Sequence, residues 1–221
     1  MKAVPPRSSS PPRPDQRSAT AEQLLNSTAA LLCTRSGLDV SLADIAAHSG
    51  LNSALIKYYF GNKEGLLMCL LERDAAIALS ALRQLISAPM TAAQKLRWHI
   101  RGIINTYFKM PYLNRLIHHM LHHGSAENAQ RVGEIFIDPM IEAYRQIIAQ
   151  GAQEASIKIV DPILLYYGLV GSCDHLFYAT QSRHRLLGTT EISPAIKENY
   201  AVMVEDMCLR GLEMNAAPAR A

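Results

Sequence analysis

From residue 17 onward, apolar residues recur every three or four positions, and no stretch alternates as a half-buried strand would. The pattern predicts an all-α chain. A first helix over 17–35 carries Ala21, Leu24, Leu25, Thr28, Leu31 and Leu32 on one side, and Gly37 follows it as a stop. Ser41, spaced to Asp44 as in a capping box, opens a second helix that ends near Ser49-Gly50. A third covers 53–60 and is broken by Gly61-Asn62. Asn62 is placed to cap a fourth, 63–87, which Pro89 closes. Thr91 with Gln94 opens 91–109, ended by Pro111. A short helix, 112–123, stops at Gly124. A long one, 127–150, is expected to kink at Asp138-Pro139. Asp161-Pro162 and Ser193-Pro194 each read as a cap followed by proline in the first turn, opening final helices over 162–182 and 194–214. This makes nine helices with short links and no repeat of 20–50 residues.

Residues 1–16 break the pattern. Pro5 to Pro14 hold five of the eleven prolines beside the run Ser8 to Ser10, with nothing apolar to bury, so this segment is expected to be a disordered tail. The remaining boundaries expected are a first helical domain over 17–66, a larger helical domain over 67–215, and a short tail over 216–221. No apolar run reaches the ~20 residues of a membrane span, and the first residues lack the apolar core of a secretory signal. Cys33, Cys69, Cys173 and Cys208 form no Cys-x-x-Cys pair, so they are expected to be reduced thiols of a cytoplasmic protein.

The net charge of +3 is small, but its distribution is uneven. Residues 1–63 hold seven Lys/Arg against four Asp/Glu, and residues 64–221 hold fifteen of each. The excess positive charge therefore lies in the first third, where a phosphate-binding segment would need it.

That third also contains the stretch with the most chemistry. Ser41 to Phe60 fits two short helices around a glycine turn. Ile45, Leu51 and Ile56 supply the apolar contacts, Ala46 is small where helices must approach, and Gly50 sits where the turn wants a positive φ. The next helix carries Asn52 and Ser53 at its start and Lys57, Tyr58 and Tyr59 near its end. Tyrosine offers a flat face with a hydroxyl tip, suited to sugar, phosphate and thymine methyl contacts. Lys57 offers a point charge to a phosphate. Lys63 stands in the first turn of the fourth helix, where free N–H groups already favour anions.

The run Gly50-Leu51-Asn52-Ser53-Ala54-Leu55-Ile56-Lys57-Tyr58-Tyr59-Phe60-Gly61-Asn62-Lys63-Glu64-Gly65-Leu66-Leu67 resembles the signature of TetR family regulators. That signature is a turn glycine, a recognition helix ending in aromatic residues, then Lys-x-x-Leu opening the fourth helix. The resemblance spans about residues 20–70 and rests beyond residue 75 on helix count alone. It implies that Tyr59 packs on the DNA backbone and that Lys63 and the Ser41 hydroxyl meet phosphates. It further implies that Ser53, Ala54 and Leu55 face base edges. Lys57 stands where the family commonly has a tyrosine, which replaces an aromatic contact by a charge.

The larger half is expected to hold the dimer together and to receive a partly hydrophobic small molecule. Two copies of a helix-turn-helix read half-sites about one DNA turn apart. The last two helices could pair across the two-fold through Tyr166, Gly168, Gly171, Tyr200, Met203 and Met207 in a four-helix bundle. Aromatic and polarisable side chains cluster in the middle: Trp98, Tyr107, Phe108, His119, Met120, Phe136 and Met140, with Phe177 and Tyr178 from a later helix.

His118, His119, His122 and His123 stand on one helix as two i,i+4 pairs. They are read as structural or solvated side chains, with His119 at the polar end of the effector pocket. Their spacing also suits a shared metal, with His99, Asp174 or His175 as a third ligand. A metal-dependent enzyme or metal-binding protein built on that helix is the alternative function. It lacks a nucleophile elbow, a Gly-rich phosphate loop and a carboxylate set. A ligand-binding scaffold without DNA function is a third reading, opposed by Lys57, Tyr59 and Lys63. The leading expectation is a cytoplasmic, non-enzymatic regulator without a cofactor, a repressor that binds a near-palindromic double-stranded operator as a homodimer.

Overall fold

The computed structural model describes residues 14–35 and 37–213. Among them there is no strand, only an isolated bridge between Ile157 and Glu213. The helices are α1 (Pro14–Thr34), α2 (Leu42–Ser49), α3 (Ala54–Phe60), α4 (Lys63–Ser87), α5 (Ala92–Lys109), α6 (Leu113–His123), α7 (Ala126–Val132), α8 (Asp138–Gln153), α9 (Pro162–Tyr178), α10 (Thr180–Leu187) and α11 (Pro194–Leu212). A π-turn, Gly133–Ile137, joins α7 to α8.

Most boundaries follow from caps that the sequence announces. Ser41 Oγ accepts the Asp44 N–H while the Asp44 carboxylate accepts the Ser41 N–H, a complete capping box on α2. Thr91 and Gln94 do the same for α5. Asn62, Asp161 and Ser193 cap α4, α9 and α11 through their side chains.

Three expectations are corrected. Helix α1 begins at Pro14, inside the segment read as a tail, because proline at the first helical position gives up an N–H that has no partner there anyway. The rest of that tail, and the expected tail 216–221, lie outside the described residues. The long seventh helix does not simply kink at Asp138-Pro139. Proline has no N–H to donate and its ring crowds the carbonyl four residues back, at Ile135; that residue lies within the π-turn, after which α8 resumes. The helix expected over 162–182 ends at Tyr178, and α10 follows it as a separate helix. The buried Arg183 guanidinium fixes that break by donating to the carbonyls of Leu176, Phe177 and Thr190.

Helices α1 to α3 pack with the first half of α4 around Leu24, Val40, Ile45, Ile56 and Leu66. Behind them α5 packs on α9 and α11, and α8 packs on α4, α5 and α9, around Leu96, Ile100, Tyr144 and Ile147. Helix α4 belongs to both groups and runs between them.

The seam is polar. Arg73 on α4 reaches Glu22 and Asn26 of α1 at 2.6 and 2.8 Å, and also holds the neighbouring Asp74. Asp74 is buried and accepts the Tyr112 hydroxyl at 2.6 Å. Burial and that carboxylate together push the Tyr112 phenol upward. Arg115 on α6 donates to the carbonyl of Leu32, in the last turn of α1, at 3.1 Å.

Candidate DNA-binding surface and effector pocket

Helix α3 is only seven residues long and must be held by its neighbours. Ile56, fully buried, anchors it in the head core. Gly50 takes φ +69° and turns the chain between α2 and α3, a conformation that costs glycine little. Gly65 answers a different need. A Cβ there would sit 2.1 Å from the carbonyl oxygen of Phe60, so only glycine lets α3 end against the first turn of α4.

With Ile56 inward, Asn52, Ser53, Ala54, Lys57 and Tyr58 are exposed on the outer side of α3. Tyr58 and Tyr59 meet edge to face at 5.0 Å, which holds both rings in place. Tyr59 is half-buried and continues into Phe60 at 6.2 Å. Lys63 is half-buried, with Nζ 3.5 Å from the Leu38 carbonyl.

Three of the expected DNA contacts carry structural duties as well. Leu55 packs against the core and is half-buried, which limits what it can show to a base edge. The Asn52 side-chain oxygen accepts the Ala54 N–H at 2.8 Å and so caps α3 in place of Ser53, whose hydroxyl makes no cap bond. The Ser41 hydroxyl donates to Asp44 Oδ2 at 2.8 Å, so meeting a phosphate as donor requires giving up that bond. The Ser41 N–H and hydroxyl, with the Arg35 guanidinium at 3.2 Å, pull the Asp44 carboxyl down to about 2.

The body holds a cavity of about 300 Å³ between α4, α5, α6, the π-turn and α8. Trp98, Tyr107, Phe136 and Met140 line it, joined by Leu79 and Leu82 from α4 and by His99 and Thr106 from α5. No Lys, Arg, Asp or Glu is among its lining residues. His99 Nε2 lies 2.9 Å from the Tyr144 hydroxyl, and burial brings its imidazole down to about 4, so it is neutral near pH 7. Trp98 is 59% exposed and stands at the rim.

The other side chains expected in the pocket are elsewhere. Met120 and Phe177 are buried in the core, the latter 6.2 Å from the Tyr107 ring. Phe108 lies under Lys197 Nζ, 5.0 Å from its ring centroid, toward α11. His119 and Tyr178 line a different cleft between head and body. The sequence reading missed Leu79, Leu82 and Thr106. The first two sit at i,i+3 on the inner face of α4 and were legible only as core.

Of the residues considered for a dimer surface, Met203 and Met207 are exposed, as are Gly168 and Gly171, with open space where a Cβ would stand. Tyr166 and Tyr200 are half-buried and face inward. Tyr166 packs beside Tyr144, and the Tyr200 hydroxyl donates to the Ser172 carbonyl, tying α11 to α9. Exposed Leu164 and Tyr167 of α9 extend the apolar face.

Comparison with known proteins agrees with this layout. The family described as bacterial regulatory proteins, tetR family, matches residues 24–68. The tetracyclin repressor-like C-terminal domain matches residues 89–217. The chain belongs to the TetR family. It is a helix-turn-helix, DNA-binding transcriptional regulator. Similar solved structures include a TetR/AcrR family regulator from Thermobifida fusca, at 18% identity over 87% of this chain and 97% of that one, TM-score 0.63. AibR, solved with isovaleryl coenzyme A and operator DNA, is 18% identical over 85% and 97%, TM-score 0.65. FadR of Bacillus subtilis, solved with stearoyl-CoA, is 18% identical over 83% and 96%, TM-score 0.58. No curated protein matches the chain. No described helix is long and apolar enough to cross a membrane. Among the described residues no group of three or more His, Cys, Asp or Glu could hold a metal ion.

Proposed function

We propose that this TetR family member is a cytoplasmic, ligand-responsive repressor that binds a near-palindromic operator as a homodimer. The observation that carries the reading is the outer side of α3. Ser53, Ala54, Lys57 and Tyr58 are exposed together there, and Tyr59 stands beside them toward the start of α4. Lys57, Tyr58 and Tyr59 take the sugar-phosphate backbone, Lys63 takes a phosphate at the α4 end, and Ser53 and Ala54 take base edges. The apolar face of α9 and α11, through Leu164, Tyr167, Met203 and Met207, pairs two copies.

The uncharged cavity suits a small, neutral, largely apolar effector with one hydrogen-bonding group for His99 or Thr106. An acyl chain is one such group; AibR and FadR were solved with acyl-coenzyme A ligands, and in such a ligand only the apolar acyl part matches this cavity, with the charged coenzyme outside it. The ligand presses on α4 through Leu79 and Leu82, and a shift of that helix changes the spacing of the two heads. To release DNA it must prefer the non-binding spacing. Selection of bound sequences from a random duplex pool tests the reading. An enriched inverted repeat is expected, and no enrichment by folded, ligand-free protein overturns it.

A further inference from the structure

A second cleft, of about 650 Å³, opens where the head meets the body. The α1–α2 loop supplies Leu38 and Asp39, and α4 supplies Lys63. Helix α6 supplies Arg115 and all four of its histidines, and the end of α9 supplies Asp174 and Tyr178. The His118 and His122 rings lie parallel, 2° apart in plane and 6.1 Å between centroids. The His119 and His123 rings are 5.5 Å apart. Nitrogen-bearing side chains from two helices thus gather in one concavity, over the apolar floor of Leu38 and Leu67.

The nearby carboxylates oppose this gathering less than their number suggests. Glu64 is engaged by the Ser125 N–H and by Asn128. Asp174 is largely buried, which pushes its carboxyl upward. Asp39 is the exposed acid on the cleft wall.

We propose that this cleft binds a small multivalent anion, a phosphorylated or polycarboxylate metabolite, between Lys63, Arg115 and the His118–His122 pair, and that its occupancy opposes operator binding. The second half rests on the reading of Lys63 as a phosphate ligand on DNA. A lysine that neutralises an anion in the cleft is withdrawn from the operator. Arg115, held by its bond to the Leu32 carbonyl, adds a fixed positive charge to the cleft wall. Besides the His118–His122 pair, the polar groups lining the cleft are Asp39 from the loop, Lys63 from α4, Arg115, His119 and His123 from α6, and Asp174 and Tyr178 from α9.

The test is calorimetric titration of the full chain with inorganic pyrophosphate and, separately, citrate, in metal-free buffer of constant ionic strength, without DNA. Saturable binding is expected. Pyrophosphate alone points to a phosphorylated ligand and citrate alone to a polycarboxylate; either supports the site. The double variant His118→Asn/His122→Asn alters two exposed side chains and should weaken binding about tenfold or more. Three results overturn the site: no binding of either anion to folded protein, undiminished binding by the double variant, or binding that requires added zinc and is abolished by a chelator. With a selected operator duplex, pyrophosphate should weaken DNA binding by the native chain more than by the double variant. Equal weakening overturns the competition. Since the titration omits DNA, a failure of operator binding and a failure of the cleft are read separately.

Discussion

Glu64 accepts the backbone N–H of Ser125 at 2.8 Å, joining the first turn of α4 to the start of α7. Asn128 adds a second bond to the same carboxylate oxygen at 2.6 Å, and these two bonds hold the carboxyl of Glu64 below its ordinary value. Glu64 follows Lys63, so the body grips the helix one residue from a proposed DNA contact. Coupling between two sites needs such a differential connection.

Glu64→Ala should loosen that grip without touching α3. Operator affinity of the ligand-free protein should change by no more than about threefold, while the loss of affinity on adding effector should shrink. Fluorescence anisotropy on a selected operator, with and without ligand, measures both. An undiminished ligand effect removes Glu64 from the coupling route.

Lys57→Ala and Lys63→Ala should each weaken operator binding and reduce the slope of log affinity against log salt by about one unit. An unchanged slope in both removes them from the phosphate contacts. Lys57 deserves its own measurement, since a tyrosine is common there in the family. Lys57→Tyr should lower the salt slope yet retain more affinity than the alanine variant.

His99 gives the fold a pH dependence whose sign is fixed. Its folded value of about 4 lies below the ~6.5 of a free imidazole. The unfolded chain therefore takes up this proton first, and stability falls as pH drops from about 6.5 to about 4, by up to about 3 kcal/mol. His99→Gln preserves a partner for Tyr144 but does not titrate. Toward acid across that window the native denaturation midpoint should fall relative to that of the variant; a constant difference refutes the assignment.

Gly102 lines the apolar cavity, and a Cβ built there meets nothing within 4 Å. Gly102→Leu should fill part of the cavity. It also removes an interior helical glycine that costs about 1 kcal/mol. The melting temperature should hold or rise while uptake of the neutral dye Nile red falls. A lower melting temperature would mean the space is not there.

Tyr167→Asp with Met207→Asp places two charges on the exposed face of α9 and α11. Sedimentation velocity at micromolar concentration should show a dimer for the native chain and a monomer for the variant, with helicity unchanged. Two dimers would move the interface elsewhere.

The first half of the fold was legible because its signals are local. A cap and its partner lie three residues apart, and Ser41 with Asp44 or Thr91 with Gln94 can be read directly. The end of α9 was not legible, because Arg183 fixes it with carbonyls on both sides and no proline or glycine marks it. The π-turn escaped for a similar reason. Pro139 announces a disturbance, but whether the helix bends or takes a wider turn depends on its packing. At the site, the exposed residues of α3 follow from periodicity. That Asn52 rather than Ser53 caps α3, and that α4 lines the pocket, emerge only from the folded chain.

Helix α4 is 25 residues long, about 37 Å at 1.5 Å per residue. Lys63 opens it at one end, and Leu79 and Leu82 touch the cavity about 24 to 28 Å away. The two chemical vocabularies of the protein are thus written at opposite ends of one rod. Substitutions that retune the proposed effector slot can accumulate around Leu79 without altering the groups proposed to meet DNA. Changes around Lys57 can shift the operator while the slot stays intact. The seam between them, Arg73, Asp74 and Tyr112, and the Glu64 link to α7 must remain constant for either kind of change to be read by the other end.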